Sequence, residues 1–308
     1  PRRPRCCGAE CLREAAEVWL AGVQDALKIN RCLLLFIRCE VIRFRTLQCF
    51  MLNGVIFLGS IFLFSYVIEP ALGMLRHLVS GGDLIAVDFI GASFTVLYKL
   101  LWIYPIYCIS FVLNTVMYQD IADKALALVN QTPPNPTPPL QRLIEEAFRV
   151  LLNLVYMVEM NVLFYLPVVG PPLYFVHSCW LASIYCLEYR WAHLRWTSNA
   201  RIDNFEQHWL YFAGFGFPVS FVSYLCPRFI DAGVFALLFP LFILTSTMAD
   251  PKQLTAAPRL LRRLPVFMVA QGISCRALRV FEGCLAEAPP PAQAAPRRSS
   301  ASKDAPAE

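Results

Sequence analysis

Long charge-free runs separated by short polar ones set the pattern of this chain. Leu47 to Ile68 holds 22 residues without a charge and stops at Glu69-Pro70. About 20 apolar residues carry a helix across the hydrocarbon core of a bilayer, so this run reads as a complete span. From Leu84 to Tyr118 the chain is apolar again, interrupted by Asp88 and Lys99 and expected to kink at Pro105. That is too long for one perpendicular helix, and the crossing is placed at residues 97–117. A third helical run begins at Leu140, with Arg142, Glu145, Glu146 and Arg149 in its polar first turns, and carries one acid, Glu159, before Pro167. After the connector Val168–Pro172 the run Leu173–Leu187 returns, with Ser178, Ala182 and Cys186 placing small residues on one face, which suits close helix approach. Trp209–Pro227 and Ala232–Ala249 are two more runs, kinked by Pro218 and Pro240 and flanking Arg228 and Asp231. The pattern predicts an all-α, polytopic transmembrane helical bundle of about six membrane segments.

The flanks have other periodicities. In residues 12–30, Leu12, Ala16, Trp19, Leu20, Val23 and Leu27 recur at helical spacing opposite Glu14, Glu17, Asp25 and Lys28. This is an amphipathic helix, lying on a membrane surface or docked on the bundle. Residues 31–45 alternate Arg31, Arg38, Arg43 and Arg45 with apolar residues, a basic juxtamembrane segment. Residues 131–139 are proline-rich and predict a polyproline-like spacer. From Pro251 the chain turns basic around apolar Val266–Val269, as in an interfacial segment. The expected organisation is a cytosolic amphipathic and basic segment (1–46), a transmembrane helical domain (47–249), a basic interfacial segment (250–284) and a disordered tail rich in Ala, Pro and Ser (285–308).

Composition agrees with the spans. The chain is 57% hydrophobic and 16% charged, against roughly a quarter charged in soluble domains. Its net charge of +5 is modest, and its distribution matters more. Nine Lys and Arg precede Leu47, three fall in 118–149, three in 188–207 and nine follow Ala249; the alternate connections carry Arg76 alone, none in 168–171, and Arg228 alone. By the positive-inside rule six spans fit with both termini cytosolic. Pro1 to Arg5 show no apolar signal-peptide stretch, so the first span is expected to double as a signal-anchor. The twelve cysteines are scattered. Cys6, Cys7 and Cys11 cluster without a histidine nearby, which favours unpaired or lipidated thiols over zinc.

Catalytic patterns are scarce, and an enzyme is not expected. No glycine-rich phosphate loop, His-Glu-x-x-His or G-x-S-x-G element occurs. Asp120 and Asp123, one helical turn apart, lack a third carboxylate and read as a solvated helix face; no metal or cofactor is expected. His77, His177, His193 and His208 lie apart. The intramembrane ionisable residues Asp88, Lys99 and Glu159 read either as helix-packing pairs, the favoured reading, or as part of an ion path. Lys99 and Glu159 are placed to meet.

One stretch mixes charges of both signs with aromatic rings. It holds the string Tyr185-Cys186-Leu187-Glu188-Tyr189-Arg190-Trp191, the step Asn204-Phe205-Glu206, and Phe215-Gly216-Phe217-Pro218. Its composition is that of an interfacial turn, with Arg190 and Arg195 in reach of phosphates. Glu188 and Arg190 point to different sides of a helix, so each should find a partner elsewhere, across the loop among Arg201, Asp203 and Glu206. These strings, with Gln119, Asp120 and Asp123 of the block Tyr118–Asp123, resemble the etoposide-induced protein 2.4 family over roughly residues 45–285. The resemblance implies an endoplasmic-reticulum multi-pass protein acting in autophagy and apoptosis-linked growth restraint through protein partners. It implies contacts with anti-apoptotic Bcl-type proteins; an importin-β contact is not expected, because the arginine-rich stretch is thin here. The bilayer is the other partner, and nucleic acid is not expected. The family is distantly similar to the bacterial sulfate permease CysZ, whose helix pairs only partly penetrate the bilayer. The last pair here could do the same. The alternative function is therefore an anion permease, which needs Arg190, Arg195 and Arg228 around one cavity.

Overall fold

The computed structural model describes residues 8–71, 73–74, 93–94, 96–129, 139–227, 230–249 and 263–286. All regular structure among them is helical. The helices are α1 (Gly8–Ala26), α2 (Ile29–Arg38), α3 (Glu40–Ala71), α4 (Val96–Leu128), α5 (Pro139–Phe164), α6 (Gly170–His193), α7 (Ser198–Gln207), α8 (Trp209–Tyr224), α9 (Ile230–Ser246) and α10 (Met268–Ala286).

Among the described residues, three helical stretches are long and apolar enough to cross a membrane: α3, α4, and Ala147–Phe164 within α5. Their outer faces are strongly apolar. Met51, Val55, Leu101, Val112, Val150 and Val162 are each more than half exposed. So broad an apolar surface is sustainable in lipid and not in water. The chain is a helical membrane protein. α8 and α9 have 16 and 17 residues, about 24–26 Å at 1.5 Å per residue, short of the roughly 30 Å hydrocarbon core. α6 is long enough, but Glu188 and Arg190 occupy its last turns.

Both long spans contain π turns, Met51–Leu58 and Phe64–Ile68 in α3 and Lys99–Ile103 in α4. The turn in α4 ends just before Pro105, where a proline without an N–H breaks the α register; the helix runs on to Leu128. α4 therefore carries the block Tyr118–Asp123 inside the helix. α6 ends with Arg195 in the left-handed region (φ 54°), Trp196 N donating to Trp191 O at 3.0 Å. Thr197 then caps α7 by accepting from Ala200 N at 3.3 Å.

Glycines set the closest helix contacts. A Cβ on Gly22 would overlap the Tyr211 carbonyl oxygen, and one on Gly214 the Trp19 carbonyl oxygen. α1 and α8 thus meet backbone to backbone, antiparallel, with Tyr211 Oη donating to Asp25 Oδ2 at 2.6 Å. The amphipathic helix is docked on the bundle, with Arg13 and Glu17 on its outer face. On the other side of α8, a Cβ on Gly216 would overlap Cys179 O of α6, and Ser183 Oγ donates to Phe212 O at 2.5 Å. The closest approach of α6 to α8 is made by Cys179 and Ser183, one position on from the stripe read in the sequence; Ala182 and Cys186 are buried beside them, in the core that includes Phe215 of α8 and Ile243 of α9.

Two large cores result, joined through α6, beside a smaller one of Phe57, Leu58 and Ile103. One collects Ile42, Cys49, Tyr118, Ile121, Ile243 and Leu244 from α3, α4 and α9. The other collects Tyr156, Trp180, Trp191, Phe205, Phe212 and Phe267 from α5 to α8 and the segment entering α10, with Phe205 and Phe212 stacked at 4.7 Å. The nine cysteines whose side chains are described are free. Burial pushes the Cys32 thiol up to about 12, so it packs as an apolar group. The spacer 131–139 up to Pro138, the connection at 75–92 with Asp88 and His77, Arg228, Cys6, Cys7, residues 250–262 and the tail from 287 lie outside the described residues.

Candidate functional site

The start of α3 and the ends of α4 and α6 meet at one end of the bundle, and the charges of the sequence motifs gather there. Asp120 pairs with Arg45 of α3 at 2.8 Å. Asp123 accepts from Gln119 Nε2 at 3.1 Å and faces His193 Nδ1 of α6 at 3.1 Å. The acidic pair of α4 is thus divided between two helices. Among the described residues no group of three metal-ligating side chains forms.

Glu188 is buried near the end of α6, where Arg149 of α5 reaches it at 2.8 Å and Arg201 of α7 pairs with the same carboxylate oxygen. Arg201 Nε also donates to Trp196 O at 2.9 Å. Two guanidinia on one buried carboxylate leave a local positive charge, beside a cavity of about 30 Å³ lined by Arg149, Ile184, Glu188, Trp191, Ser198 and Arg201. That is room for about one water.

Arg190 turns to the other flank. Its Nη1 donates to Ser246 O at 3.3 Å and to Ala249 O, satisfying carbonyls at the C-terminal end of α9. Tyr189 lies edge-on to Tyr118 and Phe239, and Trp191 stacks on Trp196. Glu206, read as part of a water-facing turn, is buried in α7. It accepts from Arg263 Nε at 2.8 Å and from Phe267 N at 3.2 Å, while its carbonyl accepts from Leu264 N at 3.2 Å. Asp203 adds a second bond to Arg263 at 2.7 Å. Glu206 and Asp203 raise the Arg263 pKa above its ordinary value, keeping it charged. Asn204 O accepts from His208 N and Nδ1, ending α7.

The expected interfacial turn at 188–207 is mostly helix, with its charges partnered inside the packing. Three contacts carry no signal in the motifs. Asn53 and Asn114 exchange amide hydrogen bonds at 2.9 and 2.8 Å between α3 and α4. Tyr118 Oη donates to Ala236 O at 2.8 Å. Ala236 lies four residues before Pro240, so its carbonyl is the one the proline leaves without a helical donor. A tyrosine four residues from Ala122 and a proline in a distant helix could be matched only in three dimensions. Pro218 sits inside α8, half-buried, next to the Gly216 contact.

Asp88 and the side chain of Lys99 lie outside the described residues, so their expected roles do too. Glu159 is half-buried in α5. Its Oε2 is buried without a hydrogen-bond partner among the described residues.

The family model for sulfate transporter CysZ/etoposide-induced protein 2.4 matches residues 28–240. The chain belongs to this family. A protein EI24 homolog of Arabidopsis thaliana is 30% identical over 304 residues, covering 86% of this chain and 94% of that protein. One of Dictyostelium discoideum is 31% identical over 269 residues, covering 86% of this chain and 84% of that one. Ectopic P granules protein 4 of Caenorhabditis elegans is 30% identical over 151 residues, 48% of each chain. No solved structure gives a significant match. In this member of the family, the residues that carried the resemblance serve as connectors: Asp120, Asp123, Glu188, Arg190 and Glu206 each join two elements, and Gly216 allows two helices to touch.

Proposed function

We propose that this chain is an endoplasmic-reticulum multi-pass protein that acts in autophagosome-to-autolysosome progression and in apoptosis-linked growth restraint, through protein partners and without catalysis. Family membership across residues 28–240 carries this reading. The relative named ectopic P granules protein 4 supports it as well. The charged end of the bundle, with both termini, faces the cytosol in this reading and is the surface offered to partners, Bcl-type proteins among them. Supporting a scaffold over an anion path, Arg190 engages carbonyls at the end of α9. The importin-type contact stays unfavoured, because the arginine-rich stretch at Arg31 to Arg45 is thin.

Deletion in cells, with rescue by the intact chain, tests the proposal. Autophagic flux should stall without the chain and recover on rescue. Normal flux in deleted cells, together with sulfate uptake by proteoliposomes above that of empty vesicles, would replace this reading with the permease one.

A further inference from the structure

We propose that α2 and the start of α3 form a binding site for anionic phospholipid, with Arg31, Arg38 and Arg43 holding the headgroups and Leu33, Leu34 and Ile37 lying among the acyl chains. The proposal rests on the membrane placement of the bundle and is independent of the autophagy reading.

The charged end of the molecule divides its arginines into two kinds. Arg45, Arg149, Arg190, Arg201 and Arg263 are spent on carboxylates or helix-end carbonyls. Arg31, Arg38 and Arg43 are exposed, and among the described residues no ion pair or hydrogen bond engages their guanidinia. Glu40 is the single acid between Arg31 and Arg45. Three unpaired cations beside one acid attract an anion, and that charge complementarity selects the headgroup.

The surrounding side chains select a lipid over a soluble partner. Leu33, Leu34 and Ile37 are 55%, 51% and 61% exposed on the same short helix, which carries Arg31 and Arg38 to one side of that apolar arc. The opposite side is anchored: Cys32 is buried, its Sγ 3.6 Å from Leu241 O of α9. Leu241 lies five residues before the end of α9 at Ser246, about 7.5 Å at 1.5 Å per residue. That is the depth at which the apolar face of an interfacial helix rests below the headgroups. Cys39, in extended conformation (φ −118°), breaks α2 from α3, so α2 is free of the axis of the span. Arg43 follows on the first turn of α3, ahead of the charge-free run at Leu47, where phosphates are met before hydrocarbon.

The test uses the full chain in nanodiscs of phosphatidylcholine mixed with phosphatidylserine, with a spin label on one lipid or the other. The intact protein should immobilise labelled phosphatidylserine in preference to labelled phosphatidylcholine, each arginine contributing up to about fivefold in relative affinity. The preference should decline with added salt. Arg31→Gln, Arg38→Gln and Arg43→Gln together should abolish it, whereas Arg13→Gln with Arg276→Gln should retain it. Salt dependence in the unaltered chain keeps the test independent of how the triple variant folds. Equal immobilisation of the two lipids, as an acidic protein occupant of this face would give, overturns the proposal. So does a preference that survives the triple substitution or is indifferent to salt.

Discussion

Pro240 sits inside a packed helix, and its ring removes the N–H that would bond to Ala236 O. In lipid an unanswered carbonyl costs several kcal/mol. Tyr118 Oη answers it at 2.8 Å, and Asn53 Nδ2 approaches at 3.5 Å. The hydroxyl and the proline should therefore be coupled. Tyr118→Phe is expected to destabilise the protein by about 0.6 kcal/mol, the average for side-chain hydrogen bonds in membrane bundles. In a Pro240→Ala background, residue 240 supplies its own donor and the same change should cost close to nothing. Thermal unfolding in detergent of the four proteins of this cycle measures the coupling, and additive effects would show that Tyr118 has another role.

Among elements, α1 depends on bare backbone at two positions. A side chain at residue 214 would meet the Trp19 carbonyl and push α1 away from α8. Gly214→Val should release α1, seen as faster hydrogen exchange across residues 8–26, while α3 to α5 keep their protection. Unchanged exchange would mean that α1 is held from elsewhere, by Asp25 and Tyr211 for example. The helices themselves were legible: Leu47–Ile68 announces α3 by its freedom from charge, and the periodicity of residues 12–30 announces α1. What α1 packs on was not, because an amphipathic stripe fits a membrane surface and a protein groove equally. The stretch from Glu188 to Glu206 misled for a related reason. Aromatic rings mixed with charges describe an interface in water and a buried ion-pair cluster alike, and the partners that decide it, Arg149 and Arg263, are far along the chain. Of the small-residue stripe of α6, Ala182 and Cys186 are buried, with Ser246 Oγ of α9 donating to Cys186 O at 2.8 Å, while the tightest contact, with Gly216 of α8, falls one position on at Cys179 and Ser183.

For the molecule as a whole, Arg45, Asp120, Arg149, His193 and Arg263 lie at one end of the bundle, where the sequence places its Lys- and Arg-rich connections. By the positive-inside rule that end is expected to face the cytosol. Engineered glycosylation acceptors should be modified within residues 70–83 and spared within 188–207. Modification of the second site would reverse the orientation.

The central claim is that the motif charges hold the helix ends together. Glu188 tests it most directly. Glu188→Ala removes the carboxylate that Arg149 and Arg201 share, with side chains 27% and 11% exposed, and leaves the two cations facing one another. Breaking a buried ion pair from one side costs about 3–5 kcal/mol. The variant should melt well below the intact protein in detergent and fall in steady-state level in cells. A variant that melts normally, keeps its level and location, and yet fails to support autophagy would contradict the structural role and make Glu188 a contact for a partner.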